Sequence, residues 1–283
     1  MPSSLNRIFA GLRERRSLIG PVTPRRLALI FGCQGSGTTL LQRALDAHPR
    51  MVSLGEPHSY LYLRSGRARD RRAERAPLLN LEVPQVGHDP GSARIAALLD
   101  GGACGVYLFR DPRAIAASLS RLQHAGEQEG QVNVRPEVEV AALSRECGEE
   151  VPGDYPLWSP WRRCLHHINL KHWFYCTYLA DRVLPVCYER LGQDPEPELR
   201  RLARHLGADF EPALLRRHTR REGRAARRTR RDDPNDARSP TAWRRRLTAG
   251  EVRDVETVCA EPLAFWEKGY RSRDLELHLW LAS

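Results

Sequence analysis

The chain has 283 residues, 41% of them hydrophobic and spread in short runs, enough for one large buried core. No run reaches the roughly 18 apolar residues of a membrane span, and seven cysteines without a CxxC pair suit a reducing, cytoplasmic setting better than a disulfide framework. The net charge of +10 rests on arginine, since Lys171 and Lys268 are the only lysines, and it suits a polyanionic small ligand.

Residues 1–26 are expected to form an N-terminal leader, with Leu5, Ile8, Phe9 and Leu12 on one helical face, and residues 27–283 a single domain. Leu27 to Phe31 reads as a buried strand, because a continuous apolar run of this length, bounded by Gly32, suits a parallel sheet covered on both faces. The loop Gly32-Cys33-Gln34-Gly35-Ser36-Gly37-Thr38-Thr39 follows, and a helix begins near Thr38. Its glycines let several N–H groups converge and the helix adds its positive end, so the stretch is an anion cradle. The spacing Gly32-x4-Gly37 is that of a nucleoside-triphosphate loop, but Thr38 stands where that motif needs lysine.

Met51 to Leu54 reads as a second strand, leading into Gly55-Glu56-Pro57-His58. A carboxylate on a turn at a strand end sits where α/β folds carry chemistry, which makes Glu56 a candidate general base and His58 a reserve. Residues 64–77 are arginine-rich and loop-like. Leu78 to Pro84 suggests a strand, and Ser92 to Asp100 a helix capped by Ser92. Cys104 to Phe109 is the next core strand, followed by Arg110-Asp111-Pro112-Arg113 and a helix from Ala114 to Gln123, with Asp111 as cap and Pro112 as first helical residue. Arg110 then projects from a strand end and Ser118 lies two turns along the helix.

Residues 125–157 are polar and aperiodic, an expected lid or insertion. A helix is expected from Trp161 to Asp181 with Ser159 as cap; its Cys164, His167, His172 and Cys176 lie in a core pattern with Trp161, Leu165, Ile168 and Leu179, so no metal site is assigned. Val183 to Glu189 reads as a strand, Glu198 to Leu206 as a helix, and Ala249 to Glu267 as one last helix. Residues 216–238 form an expected mobile basic loop; no aromatics interleave with its charges, so no nucleic acid is expected as a partner.

Two of these stretches resemble the signatures of sulfotransferases that use 3′-phosphoadenosine 5′-phosphosulfate, closest in style to the bacterial and tyrosyl-protein types. Ser36-Gly37-Thr38-Thr39-Leu40-Leu41 with Asp46-Ala47-His48-Pro49 is similar to the family's 5′-phosphosulfate loop and helix, and Arg110-Asp111-Pro112-Arg113 with Ser118 is similar to its 3′-phosphate site. The resemblance runs from about Leu27 to Tyr270. It implies an α/β fold, a three-layer P-loop-like parallel sheet flanked by helices, in a single domain. It implies that Gly35, Ser36, Gly37, Thr38 and Thr39 hold the 5′-phosphosulfate, that Arg110 and Ser118 grip the 3′-phosphate, and that Tyr188 of Tyr188-Glu189-Arg190-Leu191 touches the donor. It also implies that Glu56 acts as general base, that a segment with Arg238 and Trp243 closes over the adenosine and 3′-phosphate, and that no metal takes part.

The implied reaction moves a sulfuryl group to a hydroxyl acceptor, a small molecule, a glycan or a peptide tyrosine. The chain departs from the family at two cations. Gly35 replaces the loop Lys or Arg, and Asn80-Leu81-Glu82-Val83-Pro84 lacks a lysine. Arg43, His58, Arg64 or an arginine of residues 238–246 is expected to replace the charge. The alternatives are a P-loop nucleotide kinase, which needs a magnesium-binding acid, and a non-catalytic relative that binds adenosine bisphosphate.

Overall fold

The computed structural model describes residues 27–54, 78–83, 91–129, 152–216 and 241–271. Five parallel strands form one sheet, β1 (Leu27–Gly32), β2 (Met51–Leu54), β3 (Leu78–Val83), β4 (Cys104–Phe109) and β5 (Val183–Cys187), in the order β2-β3-β1-β4-β5. The order turns on β1, with β3 on one side and β4 on the other, so the loop after β1 lies at the point where the winding reverses.

β1 is buried along its whole length, and its alternate residues feed two cores. Leu27, Leu29 and Phe31 pack with Tyr107, Phe109, Tyr175 and Phe265 on one face, while Ala28 and Ile30 pack with Leu41, Leu45, Val106 and Leu202 on the other. Both faces need helices, and they have them. The first face is covered by α4 (Pro160–Phe174) and α9 (Ala260–Arg271), the second by α1 (Thr38–Leu45) and α6 (Pro195–His205). No helix among the described residues is long and apolar enough to cross a membrane.

Several boundaries differ from the expected ones. The helix expected to be capped by Ser92 is α2 (Gly91–Asp100), which already contains that residue. The helix after Arg110 is α3 (Pro112–Glu129), so the first residues of the expected insertion continue it. α4 begins on its Ser159 cap, whose side chain accepts from Arg162 N, but after Phe174 the helix widens into a π turn over Tyr175–Leu179. β5 stops at Cys187, level with Phe109 at the end of β4, so Tyr188 and Glu189 open α5 (Tyr188–Gln193) and do not extend the strand.

The expected last helix is two, α8 (Ala249–Val258) and α9, with Cys259 between them at φ −106° and ψ 38°. Pro262 explains the break, since it has no N–H for the Val258 carbonyl and its ring crowds that oxygen. Asn169 Nδ2 donates to the same carbonyl at 2.7 Å and takes up the orphaned acceptor.

The Asp-Ala-His-Pro end of α1 is a lock. Asp46 Oδ1 accepts from Ser53 N at 3.1 Å, and the Ser53 hydroxyl donates to Gln42 O at 3.0 Å. His48 Nδ1 accepts from Arg50 N at 3.1 Å, while its Nε2 donates to Asp209 O at 3.0 Å. The end of α1 is thus tied to the start of β2 and to the turn between α6 and α7 (Ala213–Arg216). The expected leader (1–26), most of the expected lid (130–151) and nearly all of the expected basic loop (217–238) lie outside the described residues.

Candidate active site

β1 delivers the chain to a tight turn in which Ser36 N donates to Cys33 O at 2.9 Å. Gly35, third of the four residues, has φ 84°, the sign that a type II turn requires there. Gly37 has φ 101° and precedes α1, whose first N–H groups lack partners within the helix and face the loop. A methyl group on Gly37 would sink into the Tyr188 ring, so only glycine lets the loop pass this close to α5. Ser36 is fully buried and its Oγ has no hydrogen-bond partner. A buried hydroxyl left unmet costs about 1–3 kcal/mol, which an anion's oxygen would recover.

The second expected site meets this loop directly. Arg110, at the end of β4, donates from Nη1 to Gly35 O at 2.8 Å and lies 4.3 Å over the centre of the Tyr188 ring. Its Nε is buried and has no partner. Ser118 faces the same turn, since a Cβ on Gly35 would come within 3.2 Å of the Ser118 Oγ. Gly35, Gly37, Arg110, Ser118 and Tyr188 are therefore gathered from three parts of the sequence into one corner.

Beneath the corner lies Glu189, a residue the sequence reading left without a role. It is 2% exposed, accepts from Asp111 N and from Trp266 Nε1, each at 3.0 Å, and takes a 3.4 Å contact from Cys187 Sγ. Burial pushes its carboxyl pKa up, and the Arg110 charge pulls it down. Asp111 is engaged in turn, accepting from Arg113 N at 2.9 Å and Arg113 Nε at 3.0 Å. Burial raises its pKa against the pull of Arg113. Occupied in this way, Asp111 is not presented as the magnesium-binding acid of a kinase.

Trp243 is buried among Ala114, Ala117 and Leu247, with the Arg113 guanidinium 4.5 Å above its ring. The structure thus joins it to α3 through packing. Of the arginines expected to replace the loop cation, Arg43 is exposed in the last turn of α1 and Arg244, Arg245 and Arg246 are exposed after Trp243. Glu56, His58, Arg64 and Arg238 lie outside the described residues; β2 ends at Leu54, two residues before Glu56. Of the four helical residues set aside as metal ligands, His167 turns to the loop, where its Nε2 meets Gln34 Oε1 at 2.7 Å.

The family profile described as "Sulfotransferase domain" matches residues 25–223, well over half of the chain. The chain belongs to the sulfotransferase family. This sulfotransferase also aligns with the "Sulfotransferase Domain from the Curacin Biosynthetic Pathway" at 16% identity and a TM-score of 0.50, over 86% of this chain and 99% of that one, a likeness of fold. Mouse sulfotransferase SULT7A1 in complex with PAP aligns at 12% identity and a TM-score of 0.48, over 91% and 88% of the two chains. The Alicyclobacillus acidocaldarius sulfotransferase aligns at 16% identity and a TM-score of 0.43, over 88% and 100%. No curated protein matches this chain. The activity of the sulfotransferase is sulfuryl transfer, and neither kinase chemistry nor a purely binding role is favoured.

Proposed function

We propose that the sulfuryl donor is 3′-phosphoadenosine 5′-phosphosulfate, with its 5′-phosphosulfate in the Gly35–Thr39 loop and its 3′-phosphate against Arg110 and Ser118. The observation that carries this reading is the return of the Arg110 guanidinium to the loop, bonded to Gly35 O at 2.8 Å beside Ser118. The unmet Ser36 Oγ and Arg110 Nε support it, because both are donors suited to anionic oxygens. An arginine fork pairs with a phosphate through charge-assisted bonds, and Tyr188 backs that fork from one side. Arg238 and Trp243 belong in this reading to the segment that closes the nucleotide side.

In the reaction the acceptor oxygen attacks sulfur in line with the leaving 5′-phosphate. The new O–S bond forms as the S–O bond to phosphate breaks, and the hydroxyl proton passes to Glu56, with His58 as the alternative base. The products are the sulfated acceptor and adenosine 3′,5′-bisphosphate. N–H groups at the start of α1 and the Thr38 and Thr39 side chains stabilise the charge that builds on the leaving phosphate. The acceptor is a hydroxyl on a small molecule, a glycan or a peptide tyrosine. The cysteines, including Cys33, Cys164, Cys187 and Cys259, which lie in the cores outside any disulfide, favour a reducing cytoplasmic setting.

Calorimetric titration with adenosine 3′,5′-bisphosphate, compared with ATP and magnesium, tests the donor assignment. Binding of the bisphosphate with no magnesium requirement is expected. Preference for magnesium-ATP would overturn the reading.

A further inference from the structure

The loop from Gly32 to Thr39 contains no charged side chain, yet it has to hold a group that is anionic throughout its transfer. Donors for the sulfuryl oxygens must therefore be neutral or come from elsewhere. Gln34 has the longest side chain in the loop and sits second in the turn closed by Ser36 N and Cys33 O. Its Oε1 is engaged at 2.7 Å by Nε2 of His167, a residue of α4 that is 1% exposed and lies 133 positions further along the chain. With the oxygen fixed in this way, both amide N–H groups are on Nε2. That nitrogen is buried and has no hydrogen-bond partner among the described residues.

Two more unmet polar atoms adjoin the same turn. Ser36 Oγ is two residues on, and Arg110 Nε belongs to the guanidinium that bonds Gly35 O. A buried amide nitrogen without an acceptor costs about 1–3 kcal/mol, and three such atoms around one glycine are costly unless a ligand supplies oxygens. Resting on the donor assignment above, we propose that Gln34, held by His167, binds the sulfuryl group of the donor through Nε2 and serves in place of a charged side chain in the loop.

The test compares two ligands that differ only in the sulfuryl group, adenosine 3′,5′-bisphosphate and 3′-phosphoadenosine 5′-phosphosulfate, by calorimetry on the full chain. Gln34→Ala is expected to weaken the phosphosulfate about tenfold or more, the value of one hydrogen bond to a charged group, and the bisphosphate less than about twofold. Gln34→Glu keeps the shape and an oxygen for His167 but exchanges the donor for an anion, so its selective loss should be larger. It also carries the test if the alanine variant does not fold. Equal weakening of both ligands, or no change in either, overturns the inference alone. A wild-type protein that binds neither ligand overturns the donor assignment, and the role of Gln34 with it.

Discussion

Replacing Arg110 by alanine probes the corner that joins the two halves of the site. In the free protein the guanidinium makes one bond to Gly35 O at 2.8 Å and stacks 4.3 Å over Tyr188. With the 3′-phosphate in place, the planar fork would add paired, charge-assisted bonds to a group of high negative charge. Bonds of this kind are worth about 1.5–3 kcal/mol each, so truncation should weaken adenosine 3′,5′-bisphosphate by about 3 kcal/mol, on the order of 100-fold. Adenosine 5′-monophosphate lacks the 3′-phosphate and provides the control. Its affinity should fall by no more than about threefold, reflecting only a loosened Gly35 turn. Arg110→Lys keeps the charge and loses the fork, so it should fall between wild type and alanine. Calorimetry with both nucleotides separates these outcomes. If a folded Arg110→Ala protein holds the bisphosphate within about twofold of wild type, or loses both nucleotides equally, the arginine does not grip that phosphate.

Gly37→Ala should destabilise the fold by about 2–4 kcal/mol in urea unfolding, through the φ of 101° and the encounter with the Tyr188 ring. Adding Tyr188→Ala should restore only the steric part, and full recovery would refute the backbone argument. Gly35→Lys should not repair the missing loop cation. A side chain there meets Ser118 Cβ at 3.1 Å and adopts φ 84°, so bisphosphate affinity should fall about tenfold, and an increase on calorimetry would show that the turn tolerates the charge. His172 gives a pH prediction: burial lowers its pKa to about 4, below the ordinary 6.5, so the unfolded chain takes up the proton first as the solution is acidified. The stability that it contributes is present above pH 6.5 and is lost towards pH 4, a change of about 3 kcal/mol. Urea titrations from pH 8 to 4 should show that loss in wild type and not in His172→Gln; parallel curves would refute it.

The strands at the centre of the sheet were legible because their signal is local. Leu27 to Phe31 and Cys104 to Phe109 are unbroken apolar runs, and runs of that kind survive only where both sheet faces are covered. Asp111, Pro112, Ser159 and Pro160 were legible for the same reason, since caps and first helical turns follow from a residue's own stereochemistry. Tyr188 was misread as the end of a strand because an apolar run does not reveal where its ladder partner stops, and here the partner is Phe109. Pro262 in a helical pattern carried the signal for the break at Cys259, although the compensating bond from Asn169 did not. Glu189 and Gln34 lie inside stretches the sequence singles out, and His167 in a core helix, but none of the three carried a signal for its partner. Their roles depend on partners 78 residues away for Glu189 to Asp111 and 133 residues away for Gln34 to His167, which only the packed sheet brings together.

The family match ends at residue 223, yet the packing around Arg110 and Asp111 does not. Trp266 on α9 donates to Glu189 Oε2 at 3.0 Å, and its ring stacks on Tyr270, whose hydroxyl donates to Gln193 Oε1 at 2.9 Å. Glu189 in turn holds Asp111 N and faces the charge of Arg110. A buried carboxylate in this position fixes the backbone at the start of α3, the helix that follows Arg110 and carries Ser118. Removing the acid would leave the buried Asp111 N–H and the Trp266 indole N–H without their acceptor, at a cost of about 1–3 kcal/mol each. The last helix therefore helps to hold this turn: a chain cut after the matched region would retain both signature motifs and lose the Trp266 bond that sets Glu189 against Asp111 N.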